Sequence, residues 1–283
     1  MSKVGIVTDS ASCVPEKFQK ELDIRVVPIG LVIDGKRYKD NELTNEEFWW
    51  LFHLSKRPVT TTGISPEGFI QAYQDLSKST DTILCIVLSH KLSVIHQSAV
   101  YAAEIVKQDN PNLTIEVIDS NTATGATGFL VIEAARAAQA GKSLAETAQV
   151  VKDMIPKVKW LMAMDTLKYL IRGGRAPKAA ALADIAGIKP ITGMVSGLGV
   201  VESLARARGK EKAMAKLVEL MKQHIDTSKP VHLMVHYTDG IAPAEKLRNI
   251  ITSQIKCDEV YLSHFTPVMA AHTGPVVAIS FYS

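Results

Sequence analysis

Side chains with hydroxyl groups recur at four places in the first half of the sequence, each next to a predicted strand or helix. The four clusters are Asp9-Ser10, Thr61-Thr62, residues 89–93 and Asp119-Ser120. Hydroxyl groups, and the free backbone N–H groups at the start of a helix, donate hydrogen bonds to carboxylates and phosphates. If the fold brings these clusters together, they form a site for an anionic group.

Residues 89–93 lie between a predicted strand and a predicted helix. Ser93 stands where a serine commonly caps a helix by accepting a hydrogen bond from a backbone N–H group. Two interpretations stay open: Ser93 only caps the helix, or it belongs to a pocket for a carboxylate or phosphate. Asp9-Ser10 and Asp119-Ser120 slightly favour the pocket, since caps alone do not require so much polarity at strand ends.

The elements that must position these clusters are buried strands that alternate with helices. Near-continuous apolar runs predict strands at residues 3–8, 82–88 and 113–118. Helices are predicted at about 95–107 and 125–140. This alternation predicts a doubly wound parallel α/β sheet, whose ligands bind beyond the carboxyl ends of the strands. We expect all four clusters at that edge.

Local signals mark one turn and two helix starts in the first 70 residues. Asp34-Gly35, between two β-rich segments, predicts a type I′ hairpin. Thr44 and Glu47 have capping-box spacing, so a helix is expected over residues 48–54. Ser65-Pro66 predicts the start of a further helix, with residues 60–63 as the loop before it.

The second half of the chain has no regular alternation of strand and helix. Strands are predicted at residues 158–164, 231–237, 259–264 and 276–281. Helices are predicted at residues 166–171, 179–186, 210–224 and from about 242. Gly173-Gly174 marks a helix end, residues 196–199 the turn of a hairpin and residues 272–275 a tight turn. We expect an N-terminal domain over 1–155 and, over 156–283, a second α/β domain with a partly antiparallel sheet.

The composition excludes several classes of protein. Of the 283 residues, 47% are hydrophobic and 22% are charged, which excludes disordered, collagen-like and coiled-coil chains. The net charge of +3 argues against a dedicated nucleic-acid-binding protein. Three separated cysteines do not suggest a disulfide framework. With no signal-peptide core and no apolar run of about 18 residues, a cytoplasmic protein without a membrane segment is expected.

Common signatures of catalysis and cofactor binding are absent from the sequence. Walker A, HExxH, GxSxG and GxGxxG patterns do not occur. Ser65 superficially suggests the nucleophile of a hydrolase, but it is one residue out of register and is better explained as a helix cap. His232 and His236 share one face of a predicted strand without a third metal ligand nearby. We therefore expect no metal, no cofactor and no catalytic residue.

Residues 172–212 form a basic segment, with eight cations against three acids. The cations are Arg172, Arg175, Lys178, Lys189, Arg206, Arg208, Lys210 and Lys212. A solvated surface is the usual explanation of such a cluster. The alternative is a docking surface for an anionic group or an acidic partner.

Eight short motifs occur in order along the whole chain: Val7-Thr8-Asp9-Ser10; Pro28 with Asp34-Gly35 and Tyr38-Lys39-Asp40; residues 61–66; Leu92-Ser93 with Gln97-Ser98-Ala99; Asp119-Ser120; residues 170–175; Ile188-Lys189-Pro190; and residues 272–275. Together they resemble the DegV family of bacterial fatty-acid-binding proteins. Each motif is weak alone, but the ordered set is specific.

The resemblance implies a two-domain protein that holds one long-chain fatty acid. The tail would lie in an apolar tunnel, with the carboxylate near the domain interface. In Gram-positive bacteria such proteins are the lipid-presenting subunit of fatty acid kinase, and a separate ATP-binding subunit phosphorylates the carboxylate. A fatty acid and such a kinase subunit are thus the expected partners, and nucleic acid is not.

Carried over by position, the resemblance assigns Thr61 and Ser93 as the hydroxyls that bind the carboxylate. Arg206 and His272 match polar residues near that site, and the role of Arg172 and Arg175 stays open. Thr62, the backbone of Val94, and Thr273 complete the expected ligand-binding set. This sequence departs from the family where Val94-Ile95 replace Gly-Thr, Val276 replaces Gly, and Thr62-Gly63 replace Ser-Gln.

Two other classes of function are alternatives. A stand-alone enzyme of the same general fold would phosphorylate or hydrolyse a small metabolite, but it would need its own nucleotide or metal site. A nucleic-acid regulator would use the basic segment, but the sequence has no recognisable helix-turn-helix or aromatic stacking pattern.

Overall fold

The computed structural model describes residues 4–176 and 187–283. Within these ranges, no helix combines the length and the apolar character needed to cross a membrane. The helix predicted at residues 179–186, and Lys178 of the basic segment, lie outside the described residues.

The strands are β1 (Gly5–Asp9), β2 (Ile24–Val27), β3 (Gly30–Ile33), β4 (Lys36–Lys39), β5 (Thr60–Gly63), β6 (Thr82–Val87), β7 (Thr114–Asp119), β8 (Lys159–Met164), β9 (Ile188–Met194), β10 (Glu202–Arg208), β11 (Val231–Tyr237), β12 (Cys257–His264) and β13 (Val276–Tyr282). The helices are α1 (Glu16–Glu21), α2 (Asn45–Leu54), α3 (Pro66–Ser77), α4 (Ile95–Asp109), α5 (Thr124–Gln139), α6 (Leu144–Met154), α7 (Lys168–Arg172), α8 (Lys210–Lys222), α9 (Ala242–Thr252) and α10 (Pro267–Thr273).

A parallel sheet in the order β2-β1-β6-β7 forms the centre of the N-terminal half. Alternate side chains of β6 enter different cores. Ile83 and Cys85 pack with α3 and α4, whereas Leu84 and Ile86 pack with α5 and α6. Helices thus cover both faces, which explains the near-continuous apolar runs and confirms the doubly wound sheet.

A small antiparallel sheet, β4-β3-β5, lies beside the parallel one. Asp34 and Gly35 join β3 to β4 with φ angles of 48° and 87°, as a type I′ turn requires, so the predicted hairpin is confirmed. The prediction of a loop at residues 60–63 is wrong. Three consecutive β-branched threonines instead form edge strand β5, in which Thr61 pairs with Leu31.

The C-terminal half is built on a six-stranded sheet in the order β10-β9-β8-β13-β11-β12. Only β11 and β12 pair in parallel, and the other neighbours are antiparallel. The predicted mixed sheet and the β9–β10 hairpin are therefore confirmed.

Helix α5 joins the two halves through a shared core. Phe129 and Leu130 of α5 belong to one buried cluster with Leu84 of the parallel sheet and with Met162 and Ala278 of the mixed sheet. The chain passes from α6 to β8 near residue 155, but this cluster includes residues from both sides. The boundary at 155/156 stays a prediction.

Residues 272–273 end helix α10, which corrects the predicted tight turn. Thr266 and Pro267 begin this helix, and Gly274 ends it with a φ of +64°. A Cβ atom at Gly274 would lie 2.3 Å from the Tyr169 ring, so only glycine fits there. Helix α10 packs against β3 and β5, and this contact brings the C-terminal residues His272 and Thr273 to the N-terminal half.

Candidate functional site

A cavity of about 490 Å³ lies at the carboxyl edge of the parallel sheet, between the two halves of the chain. Its volume is within the range of small-molecule sites. Most of its lining is apolar, including Ile29, Leu88, Ile95, Trp160, Met162 and Val268. The polar lining residues include Thr61, Thr62, Ser93, Arg175, His272 and Thr273. The arrangement suits a ligand with a long apolar part and one polar end.

Thr61 and His272 are in direct polar contact in the cavity. Edge strand β5 carries Thr61 and the last turn of α10 carries His272, and Thr61 Oγ1 lies 3.2 Å from His272 Nε2. Burial, then the positive charges of Arg175 and Arg172, lowers the pKa of His272 to about 4. His272 is therefore neutral at physiological pH. Either its Nε2 hydrogen or the Thr61 hydroxyl hydrogen forms the hydrogen bond between the two side chains.

Arg175 supplies a positive charge to the cavity. Its Nε donates to the Leu92 carbonyl oxygen at 3.1 Å, and its Nη1 donates to the Gly173 carbonyl oxygen at 2.5 Å. Burial lowers its pKa, but a guanidinium stays charged in a protein. Among the described residues no carboxylate pairs with Arg175, so its charge is available to an anionic ligand.

Gly173 makes room for this arrangement. A Cβ atom at Gly173 would lie 2.8 Å from His272 Nδ1. Gly173 also ends α7, as predicted, and its carbonyl oxygen holds Arg175. The glycine-arginine turn, whose role the sequence left open, thus positions both His272 and the cavity cation.

Ser93 lines the cavity and is not a helix cap. Val94 occupies the N-cap position of α4, and no side chain makes a capping hydrogen bond there. The interpretation of Ser93 as only a cap is therefore wrong. Val94 and Ile95 also line the cavity, so the positive end of the α4 dipole adjoins it.

The four hydroxyl clusters divide into two that line the cavity and two that support it. Asp9 accepts hydrogen bonds from the backbone N–H groups of Ala11 and Leu88, at 2.8 and 2.9 Å. Asp119 likewise accepts from the N–H groups of His90 and Asn121. These carboxylates fix the loops after β1 and β6 and do not line the cavity.

Arg206, which the sequence also suggested for the site, is not among the residues that line the cavity. Val201, just before β10, lines the cavity, but Arg206 is exposed on this edge strand opposite Pro190. Arg208, Lys210 and Lys212 are also exposed.

His232 and His236, which share one face of β11, each contact another side chain. His232 Nδ1 lies 3.0 Å from Glu259, and His236 Nε2 lies 3.0 Å from the Ser280 hydroxyl. Across residues 4–176 and 187–283, no three His, Cys, Asp or Glu side chains are grouped so that they could hold a metal ion.

Related sequences cover the whole chain. The family model described as "Uncharacterised protein, DegV family" matches residues 3–283. A DegV domain-containing protein of Caldanaerobacter subterraneus subsp. tengcongensis is 35% identical over 285 residues, covering 100% of this chain and 99% of the relative. One from Streptococcus pyogenes serotype M3 is 30% identical over 274 residues, covering 95% and 94%.

Solved structures share the fold. A DegV family protein from Thermus thermophilus, described for its fatty acid binding, is 28% identical with a TM-score of 0.90 and covers 100% of both chains. A stearic acid-binding protein from Eubacterium ventriosum has the same TM-score at 23% identity, covering 100% of this chain and 98% of its own, a likeness of fold alone. By its sequence over nearly its full length and by its fold, this chain belongs to the DegV family.

Proposed function

We propose that this protein binds a long-chain fatty acid in the cavity, with the carboxylate beside Thr61, Ser93, Arg175 and His272. The observation that carries the proposal is the polar cluster around the Thr61–His272 contact in an otherwise mostly apolar cavity. The fatty acid binding described for the Thermus thermophilus relative supports the same class of ligand.

The apolar lining accounts for affinity. Each buried methylene group contributes about 0.8 kcal/mol, so a chain of sixteen carbons contributes roughly 10 kcal/mol before the costs of association. Trp160 and Met162 of the mixed sheet, and Ile95 and Val268 from the other side, are buried and line the space for such a tail.

The polar cluster accounts for the choice of a carboxylate. A buried carboxylate costs several kcal/mol unless hydrogen bonds and charges compensate it. If neutral His272 donates its Nε2 hydrogen to Thr61 Oγ1, the Thr61 hydroxyl hydrogen is directed to the carboxylate. Ser93 donates a second hydrogen bond, and Arg175 and the α4 dipole supply positive potential.

We further propose that the protein presents this carboxylate to a separate ATP-dependent kinase subunit in the cytoplasm and has no phosphoryl-transfer activity of its own. The exposed cations Arg206, Arg208, Lys210 and Lys212 support this step, because none of them forms an ion pair among the described residues. Arg172, whose guanidinium lies 5.3 Å from the centre of the Tyr169 ring, is a further exposed cation, and its charge reaches His272 in the cavity.

Oleate affinity of the lipid-free protein tests the binding proposal. Each charge-assisted hydrogen bond contributes about 1.5–3 kcal/mol, so Thr61→Val combined with Ser93→Ala should weaken binding at least about 100-fold. Thr60→Val is the matched control, since Thr60 is the preceding residue of β5, is exposed and does not line the cavity. An unchanged affinity in the double variant, with its fold intact by circular dichroism, contradicts the proposed carboxylate site.

A further inference from the structure

A second, smaller cavity lies on the other side of the short turn at residues 10–12. Ala11 lines the large cavity, whereas Ser10 and Ser12 line the small one, which has a volume of about 140 Å³. Gln19, Asp40 and Thr266 also line it. Two motifs that the fatty-acid site does not use, Asp9-Ser10 and Tyr38-Lys39-Asp40, meet here.

Asp40 is buried in this cavity without a counter-charge. It is 2% exposed, and neither carboxylate oxygen has a hydrogen-bond partner among the described residues. The Ser10 hydroxyl and the N–H groups of Ile29 and Asn41 are nearby donors, but none of them forms a hydrogen bond of normal geometry with Asp40. Within the described residues no basic side chain pairs with Asp40 or Asp9. A buried carboxylate in this state is costly.

Ser12, Gln19 and Thr266 present acceptor oxygens to the cavity. Ser12 Oγ donates its hydrogen to the Asp9 carbonyl oxygen at 2.7 Å, and Thr266 Oγ1 donates its hydrogen to the Ser10 carbonyl oxygen at 3.1 Å. Each hydroxyl has one hydrogen, so only lone pairs remain for the cavity. The Gln19 amide donates to the Val14 carbonyl oxygen at 2.8 Å, which leaves its own oxygen as an acceptor.

We propose that this cavity binds a hard metal cation through oxygen ligands, with the Asp40 carboxylate as the charged ligand. Ser12, Gln19 and Thr266 supply neutral oxygens, and water completes the coordination. Calcium accepts such a mixture of carboxylate, carbonyl and water oxygens, and sodium and potassium also prefer oxygen ligands. A volume of about 140 Å³ holds one ion with a few water molecules.

The proposal is independent of the fatty-acid site, because none of the proposed ligands lines the large cavity. It also differs from a transition-metal centre, which would need several histidine, cysteine or carboxylate ligands. Thr266 stands at the start of α10, and His272 at its end, so a bound cation would also fix the first turn of this helix.

Thermal unfolding with defined salts tests the proposal. Protein freed of metal by a chelator is heated in calcium, magnesium, sodium, potassium or choline chloride at equal ionic strength. At least one metal ion should raise the Tm by about 2 °C or more over choline. Metal analysis after rapid desalting of the calcium-loaded protein, or equilibrium dialysis for a weakly held ion, should recover about one ion per chain.

Asp40→Asn should weaken binding of that ion at least about tenfold. The unmutated protein and the variant are compared by the increase in Tm that the ion causes in each. Their absolute Tm values are not compared, because removing an uncompensated buried charge can itself change the Tm. Asp81→Asn, at an exposed aspartate, is the matched control and should keep the full shift. Gln19→Met removes one neutral oxygen while keeping the side-chain size, and it should weaken binding even if Asp40→Asn fails to fold.

The proposal is overturned if no metal ion stabilises the unmutated protein more than choline does. It is also overturned if folded Asp40→Asn keeps the shift or, where that variant does not fold, if Gln19→Met binds the ion with unchanged affinity.

Discussion

Thr61 and His272 are 211 residues apart in the chain, yet their side chains lie 3.2 Å apart in the large cavity. Strand β5 and helix α10, which carry them, come from opposite ends of the sequence and pack on each other. This contact joins the N-terminal and C-terminal halves at the polar cluster of the site. Disturbing either residue should therefore affect ligand binding more than folding.

The stability of the ligand-free protein should depend on pH through His272. Its folded pKa of about 4 lies below the ordinary histidine pKa of 6.5, so the unfolded state binds more protons between these values. The contribution of His272 is therefore full above pH 6.5 and is lost as the pH falls to 4. From pH 4 to pH 7 the free energy of unfolding should rise by about 2–3 kcal/mol more in the unmutated protein than in His272→Gln.

Urea unfolding at several pH values measures this difference. The pKa values of Asp9 and Asp40 are raised by burial, so these groups change stability in the opposite direction. Both proteins contain them, and their contributions cancel in the comparison. Parallel pH profiles for the two proteins would show that His272 does not titrate as described.

Arg175→Gln should weaken fatty-acid binding by roughly tenfold or more, because it removes a charge that no carboxylate neutralises among the described residues. Arg208→Gln is the matched control, since Arg208 is exposed on β10 and does not line the cavity. Oleate titration of the three proteins measures the effect. Equal losses in both variants would assign the effect to the net charge of the protein and not to the cavity.

Gly173→Ala should weaken fatty-acid binding by displacing His272, whose Nδ1 would lie 2.8 Å from the new Cβ atom. A double-mutant cycle tests this cause. If the glycine acts through the histidine, Gly173→Ala should cost much less affinity in a His272→Ala background. Additive losses would show that Gly173 acts by another route, such as its contact with Arg175.

Arg206→Ala should reduce acyl-phosphate formation when an ATP-dependent kinase subunit is added, while oleate affinity stays unchanged. Arg206 lies outside the cavity, and exposed cations chiefly steer encounter with a partner. Rising salt should reduce the difference in rate between the unmutated protein and Arg206→Ala, since salt screens the electrostatic attraction between the exposed cations and the partner. Lys142→Ala, at an exposed lysine of the N-terminal half, is the control. A normal rate for Arg206→Ala at low salt would show that Arg206 is not part of a docking surface.

Much of the fold could be predicted because local signals and burial agree. The strands of the parallel sheet are apolar on both faces, and the Thr44–Glu47 capping box forms as its spacing predicts. The same signal at Ser143 and Glu146 begins α6, a helix that was not predicted from the sequence. Thr266-Pro267 is likewise a helix-start signal, but the glycine-proline pair at residues 274–275 suggested a turn instead of a helix.

The site was only partly predictable, because tertiary packing decides which polar residues meet. Residues 60–63 have strand propensity but pair only because β3 offers a free edge. The position of Arg206 depends on the direction of an edge strand after a hairpin, which no local pattern determines. Arg175 enters the cavity because α7 ends at Gly173, so its role required the structure.

Mass spectrometry of lipid extracted from the purified protein tests the central claim most directly. We expect about one long-chain fatty acid per chain in the unmutated protein and in Thr60→Val, and a large loss in the Thr61→Val, Ser93→Ala double variant. Recovery of a nucleotide, or of no lipid after loading with oleate, would contradict it.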